Sequence, residues 1–290
     1  MQLLVFGSLN IDHTYRVPHL VREGETLASA AYMRSEGGKG FNQAAALAKA
    51  NLAVHFAGAI GQDGLFLRDY LASLGVNTDA VRVLDVPTGH AVIQVDAQGR
   101  NAIFLYGGAN QAITEKQIDE ALAPFGAGDY ILLQNEISLV ETILRKAHAR
   151  GMHIILNPSP ISEELLAWPF DLVDWLILNE IEGHGLTGQS EPESILTALQ
   201  ERLHVPHIVL TLGDKGAIYA DGSIRIRQAA LPASVVDTTA AGDTFTGYFF
   251  TSLLTGQTPA AALHRAAAAA SLAISRPGAA PSIPLAHEVP

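Results

Sequence analysis

Four short apolar runs, Tyr130–Gln134, His153–Leu156, Trp175–Leu178 and His207–Thr211, recur between residues 130 and 211 with helix-patterned segments between them. Runs this short are strands rather than helices, and their nearly continuous apolarity suits strands covered on both faces. Parallel neighbours cannot be joined by a tight turn, so strand–helix–strand repetition implies crossover helices and a parallel sheet clothed on both sides. Leu3–Phe6 and Val54–Ile60 extend the pattern toward the N-terminus. Capping boxes are expected at Thr114–Gln117, Ser138–Glu141 and Ser190–Glu193, where a hydroxyl and a Glu or Gln three residues on can satisfy amides at a helix start.

Two segments break the alternation. Ala91–Val95 and Asn101–Leu105 flank the turn Asp96-Ala97-Gln98-Gly99-Arg100, a hairpin signal, and Asp12–Ala31 is polar with Pro and Gly. They are either surface excursions or a small β lid over the carboxyl edge of the sheet, where open α/β folds take ligands. No repeat or linker divides the 290 residues, so one domain is expected, with a discontinuous lid over about 12–31 and 88–108.

Against 18 Lys+Arg stand 29 Asp+Glu, a formal charge of −11, which argues against nucleic acid or an anionic membrane as partner. Zero cysteines exclude disulfides, thiolate metal sites and a cysteine nucleophile. The start lacks a basic flank and reaches Asn10 and Asp12 early, unlike a signal peptide, and Ala266–Ile274 is too short to span a bilayer. A cytoplasmic protein is expected. None of the 11 histidines has convincing metal-ligand spacing, and no Ser sits in a Gly-x-Ser-x-Gly elbow.

Three places carry chemistry. Asp237-Thr238-Thr239-Ala240-Ala241-Gly242-Asp243 precedes an apolar stripe at Phe245, Phe249 and Leu253, putting small residues at a helix start and Asp243 in its first turn. Free amides there attract anions, and a carboxylate beside them can take a proton from a hydroxyl; alternatively Asp243 only complements the helix dipole. Glu36-Gly37-Gly38-Lys39-Gly40-Phe41-Asn42-Gln43 opens another helix. It is neither a Walker loop nor a dinucleotide fingerprint, and it is either an ordinary loop or a polar-ligand turn with Lys39 and Asn42 as donors. Asn10 and Asp12 follow the first strand, where they could cap a turn or hold a polyol. Glu136, Asn179 and Glu182 stand at equivalent strand ends.

Together with Gly7–Asp12, Gly37–Ala44, Gly108-Ala109-Asn110, Leu156–Pro160, Asn179–Glu182, Thr211–Gly216, Asp237–Asp243 and Gly278–Ser282, the chain resembles the ribokinase-like (phosphofructokinase B type) carbohydrate kinases, in order and over almost its whole length. The resemblance implies a three-layer α/β sandwich with a mostly parallel sheet and a β lid. It also implies an ATP-dependent sugar kinase, with D-ribose giving D-ribose 5-phosphate as the first expectation. Deoxyribose, fructose, 2-keto-3-deoxygluconate, nucleoside or pseudouridine kinases are alternatives within the family, and a non-catalytic sensor is an alternative outside catalysis.

By the same resemblance Asp243 is the base, and Ala240, Ala241 and Gly242 form the anion hole. Asn10, Asp12, Gly38, Lys39, Gly40, Asn42 and Glu136 hold the sugar. Asn179, Thr211, Gly213, Gly216 and Gly242 bind ATP, and Glu182 serves Mg2+ through water. Asp237, Thr239, Ala273, Arg276, Gly278 and Ser282 correspond to a K+ site, and the lid implies a homodimer. Four departures stand out: Phe41 where Ala is usual beside the sugar, Ala267 where an adenine-edge His or Asn is common, Tyr248 for a small residue, and an end at Pro290 without a closing helix. Phe41 is expected to narrow or reshape the sugar pocket.

Overall fold

Alternation along the first strand decides the layering. Leu3 and Val5 enter one core, Leu4 and Phe6 the other, and Leu132 opposes Ile131 and Leu133 in the same way. The computed structural model describes residues 1–290. Its strands are β1 (Leu3–Phe6), β2 (Asn10–Arg16), β3 (Ala31–Gly37), β4 (His55–Ile60), β5 (Asn77–Val83), β6 (Gly89–Val95), β7 (Asn101–Tyr106), β8 (Tyr130–Gln134), β9 (His153–Asn157), β10 (Trp175–Asn179), β11 (His207–Thr211), β12 (Ala217–Asp221) and β13 (Ile224–Gln228). Its helices are α1 (Lys39–Lys49), α2 (Leu65–Ser73), α3 (Glu115–Leu122), α4 (Val140–Ala149), α5 (Glu180–Thr187), α6 (Pro192–Leu203), α7 (Ala241–Leu254) and α8 (Pro259–Ala273).

Nine strands form one sheet in the order β13-β12-β11-β10-β9-β8-β1-β4-β5. From β5 to β11 every pairing is parallel, and β12 and β13 turn back as an antiparallel edge. α1, α2, α7 and α8 cover one face and α3 to α6 the other, giving the expected three layers. The strand order reverses at β1, between β4 and β8, which opens a crevice at the carboxyl edge. No helix is long and apolar enough to cross a membrane.

A second sheet, β3-β2-β6-β7, rises from that edge; β2 follows directly on β1, and its first residue, Asn10, pairs with Gly37 and Gly89 within the second sheet. Residues 12–16 of the polar stretch belong to β2 and are strand rather than loop, and β3 starts at the stretch's expected limit, Ala31, and runs past it to Gly37. Only one of the three expected capping boxes forms, at Thr114–Gln117. Leu139, in the left-handed region at φ 60°, starts α4 one residue later than the Ser138 box requires, and Pro192 at the first turn of α6 makes Glu191 its cap. A box that the spacing hid appears at Asn179 and Glu182.

Candidate active site

Gly38 takes φ 97° immediately before α1, a conformation open to glycine and costly for other residues. It turns the chain so that α1 begins against the end of β1: a Cβ on Gly40 would stand 2.6 Å from the Ser8 amide nitrogen. This contact fixes the height of Lys39, Asn42 and Gln43 over the sheet edge. Glu136, just beyond β8, accepts from the Lys39 amide at 2.8 Å and from the Ser8 hydroxyl. Burial raises the Glu136 carboxyl above its usual range, and Asp243 adds to the rise against the opposing pull of Ser8 and Lys39. Burial alone would lower the Lys39 ammonium, but the carboxylates of Asp243, Glu136 and Glu182 outweigh it and leave the lysine more firmly charged.

Asn10 and Asp12 enter from β2. Asn110 donates to Asn10 Oδ1 at 2.8 Å and also bonds both backbone groups of Leu9, so it braces the turn between β1 and β2. Asp12 stands against the backbone of Gly37, where a Cβ would come within 2.3 Å of the carboxylate. Burial, then Glu136 and Glu36, push the Asp12 carboxyl up to about 7.

On the other side, α7 begins after Ala240, itself left-handed at φ 59°. Ala241 donates weakly to Thr238 O at 3.3 Å, whereas the Gly242 and Asp243 amides have no protein acceptor. Two free N–H groups thus sit beside the Asp243 carboxylate at a helix start, the arrangement that binds anions. Asp243 is 7% exposed. Its Oδ2 accepts from Asn42 Nδ2 at 3.2 Å and its Oδ1 from Gln43 Nε2 at 2.9 Å. Because a carboxylate only accepts, Asn42 must present its NH2 group, which leaves Asn42 Oδ1 buried without a donor.

A cleft joins Lys39, Asn179, Glu182, Thr211 and the Ala240–Asp243 turn. Asn10, Asp12, Gly38, Gly40, Asn42 and Glu136 cluster beyond Lys39, outside that cleft's lining. Asn179 and Glu182 partly occupy one another, each side chain accepting from the other's amide at 2.9 Å. Gly213 and Gly216 follow β11 and do not line the cleft; a Cβ on Gly216 would stand 1.9 Å from Gln228 O, so the loop demands glycine there. No group of three His, Cys, Asp or Glu side chains could hold a metal by itself, so a divalent ion at Glu182 would take most of its ligands from phosphates and water.

Of the expected monovalent-cation residues, Thr239 and Gly278 are brought onto the Asp237 carboxylate. Asp237 accepts the amide and hydroxyl of Thr239 at 2.9 and 2.6 Å and the Gly278 amide at 3.0 Å. These bonds hold its carboxyl below the usual range despite burial. The Arg276 guanidinium turns away to Glu288 at 2.7 Å, and Ser282 donates to Ala279 O at 2.8 Å. One carboxylate with hydroxyl and carbonyl oxygens is a donor set of the kind that fits a hard monovalent cation; Ala273 and Gly278 have only backbone oxygen to offer, and so does Arg276 with its guanidinium turned away.

Phe41 does not narrow the site. Its ring is fully buried in the core, 5.6 Å from Tyr70 of the neighbouring helix α2. Tyr248 is likewise in the core and ties α7 to the C-terminal segment by donating to Pro284 O at 2.8 Å. Ala267 is buried in α8. Ser8, Gln43, Asn110 and Asn157 complete the bonded framework and were missing from the expected site. Each lies in a stretch that carries the family resemblance, but only Gln43, beside Asn42 at a helix start, had a local signal of its own.

Residues 1–286 match the family described as pfkB family carbohydrate kinase. The chain is 38% identical to a ribokinase of Arabidopsis thaliana over 97% of this chain and 78% of that protein. It is 35% identical to a ribokinase of Haemophilus influenzae over 99% of this chain and 96% of that protein. The solved structure of Arabidopsis thaliana ribokinase complexed with ribose and ATP is similar at TM-score 0.87 and 36% identity, covering 99% of this chain and 96% of that one.

Proposed function

The chain belongs to the pfkB family of carbohydrate kinases, and we propose that it transfers the γ-phosphoryl group of ATP to the primary hydroxyl of D-ribose, giving D-ribose 5-phosphate. The observation that carries this reading is the buried Asp243 carboxylate beside the two unpaired amides of Gly242 and Asp243. Asp243 removes the hydroxyl proton as the oxygen attacks phosphorus, and the amides of the Ala240–Gly242 turn and of Asp243 meet the charge on the transferring group. Lys39, held charged by three carboxylates, neutralises the same region.

Asn10, Asp12, Asn42 and Glu136 hold the sugar hydroxyls, with Gly38 and Gly40 letting the backbone approach. Asn42 Oδ1 supplies an acceptor that no protein group uses. Asn179, Thr211, Gly213 and Gly216 flank the nucleotide. Magnesium, when bound with ATP, supplies charge neutralisation on the phosphates, and Glu182 would hold its hydration shell. The oxygens around Asp237 would hold a potassium ion and stiffen the turn before α7. The need for ATP supports a cytoplasmic setting for the reaction.

The deciding experiment is turnover with ATP and Mg2+ on ribose, deoxyribose, fructose, 2-keto-3-deoxygluconate, pseudouridine and adenosine. Ribose is expected to give the highest kcat/KM, and potassium to raise its kcat over sodium. Another sugar in first place moves the substrate reading within the family, whereas binding without any product makes the chain a sensor. Equal rates in the two salts remove the potassium reading.

The second sheet supports a homodimer. Every residue of β7 is exposed, including Ile103 at 54%, Phe104 at 60% and Leu105 at 58%, on an edge strand with no neighbour on its outer side. Such an edge invites pairing or apolar cover. Equilibrium sedimentation should give twice the chain mass, and Ile103→Glu with Leu105→Glu should return it to one. A wild-type monomer at micromolar concentration refutes this interface.

A further inference from the structure

Behind Asp243 lies a row of buried side-chain amides that the proposed transfer does not itself use. Gln43, fully buried on α1, donates through Nε2 to Asp243 Oδ1 at 2.9 Å and to Asn157 Oδ1 at 3.0 Å. Its Oε1 accepts from Gln134 Nε2 at 2.7 Å, and Asn157 Nδ2 donates to Ile177 O at 2.8 Å.

The polarity of the row is forced from its ends. A carboxylate oxygen and a peptide carbonyl can only accept, so Asn157 must turn NH2 toward Ile177 and Gln43 must turn NH2 toward both Asp243 and Asn157. Gln43 then has only its oxygen left for Gln134. Gln134 must in turn present its own NH2, which leaves its Oε1 buried against Gly7 with no donor. The fold accepts that orphaned oxygen two residues away from the carboxylate, and the Gln43 donor at Asp243 is thereby fixed.

We propose that Gln43 is a positioning residue that selects which oxygen of Asp243 takes the proton. This rests on the kinase reading above. Both oxygens accept a side-chain amide, but Oδ1 is held by the shorter bond, 2.9 Å from the fully buried Gln43 against 3.2 Å from Asn42 to Oδ2, so the hydroxyl proton passes to the more weakly held Oδ2. In the same step the sugar O–H bond breaks and the Oδ2–H bond forms. The sugar oxygen bonds to the γ-phosphorus, and the bond to the β-phosphate oxygen breaks to release ADP. The same bond fixes the plane of the carboxylate, so attack geometry does not depend on substrate to arrange the base.

Gln43→Met keeps the side-chain length and removes the donor. Its kcat on ribose should fall about 10- to 100-fold, with KM for ribose and ATP within about threefold of wild type. Gln43→Glu places a second carboxyl against Asp243; protonated it donates, ionised it repels. Its kcat should therefore rise as pH falls from about 8 to about 6, a limb absent from wild type. If Gln43→Met fails to fold, the pH profile of Gln43→Glu decides. Wild-type kcat in a folded Gln43→Met, or a flat Gln43→Glu profile, overturns the proposal. An inactive wild type overturns instead the kinase reading beneath it.

Discussion

Asp243→Asn should lower kcat on ribose by about 10³-fold or more while the protein unfolds at nearly the same denaturant concentration. The loss follows from basicity: an amide cannot take the hydroxyl proton, and no other carboxylate shares its bonded place at the start of α7. Stability should survive because the site can re-pair. The substituted side chain keeps its amide oxygen toward Gln43 Nε2, and its NH2 then faces Asn42, which meets it by turning its own amide over. Asn42 Oδ1, now without a donor, becomes the acceptor and the Asn42 NH2 takes its place as the unpaired group, so the number of unpaired buried groups does not rise. Residual binding of ATP should persist, since the free amides and Lys39 remain. Turnover within about tenfold of wild type would remove Asp243 from the role of base; a large drop in unfolding midpoint would show that the carboxylate is chiefly structural.

The contrast between what the sequence discloses and what it hides has a physical cause. β1, β8, β9, β10 and β11 are buried on both faces, so each is an uninterrupted apolar run that stands out from its flanks. β2 and β3, reading Asn10–Arg16 and Ala31–Gly37, belong to a sheet whose residues are mostly half-buried or exposed. Their polar residues satisfy no burial rule and look like loop. β5 and β13 are edge strands and fail for the same reason. In the site, the residues that would touch ligands stand at strand ends and helix starts, where local spacing exposes them. Asn179 and Glu182 were legible as a pair at a strand end, but the same spacing also makes a capping box, and only the folded chain shows that the two side chains form it. Gln43, Gln134 and Asn157 are different. Gln43 and Asp243 are 200 positions apart, and a hydrogen bond over that separation leaves no mark in either local sequence. Phe41 shows the opposite error: beside Asn42 in sequence it looks like a pocket residue, yet the next position on a helix is rotated about 100° away and lands in the core.

The ribose KM should depend steeply on pH because of Asp12. Its carboxyl, pushed up to about 7 first by burial and then by Glu136 and Glu36, is half protonated near neutrality in the free protein. Two sugar hydroxyls need an acceptor, and only the ionised form offers both oxygens. Below the shifted value, each unit by which the pH falls should raise the KM for ribose about tenfold, and above about pH 8 the KM should level off. Binding must then expel a proton: near pH 6, calorimetry in buffers of different ionisation enthalpy should find about one released per ribose. The stability of the free protein carries the opposite sign from an ordinary carboxylate. Between about pH 4 and pH 7 the native chain retains a proton that the unfolded chain has lost, so stability falls as pH rises, by at most about 1.4 kcal/mol per unit from this group. Asp12→Asn should abolish both the pH slope of KM and the proton release, and raise KM about 100-fold at about pH 8, where wild type is mostly ionised. A KM unchanged between about pH 6 and 8, or a slope that survives in Asp12→Asn, would move the acceptor role to Glu136, the other raised carboxyl beside the sugar residues.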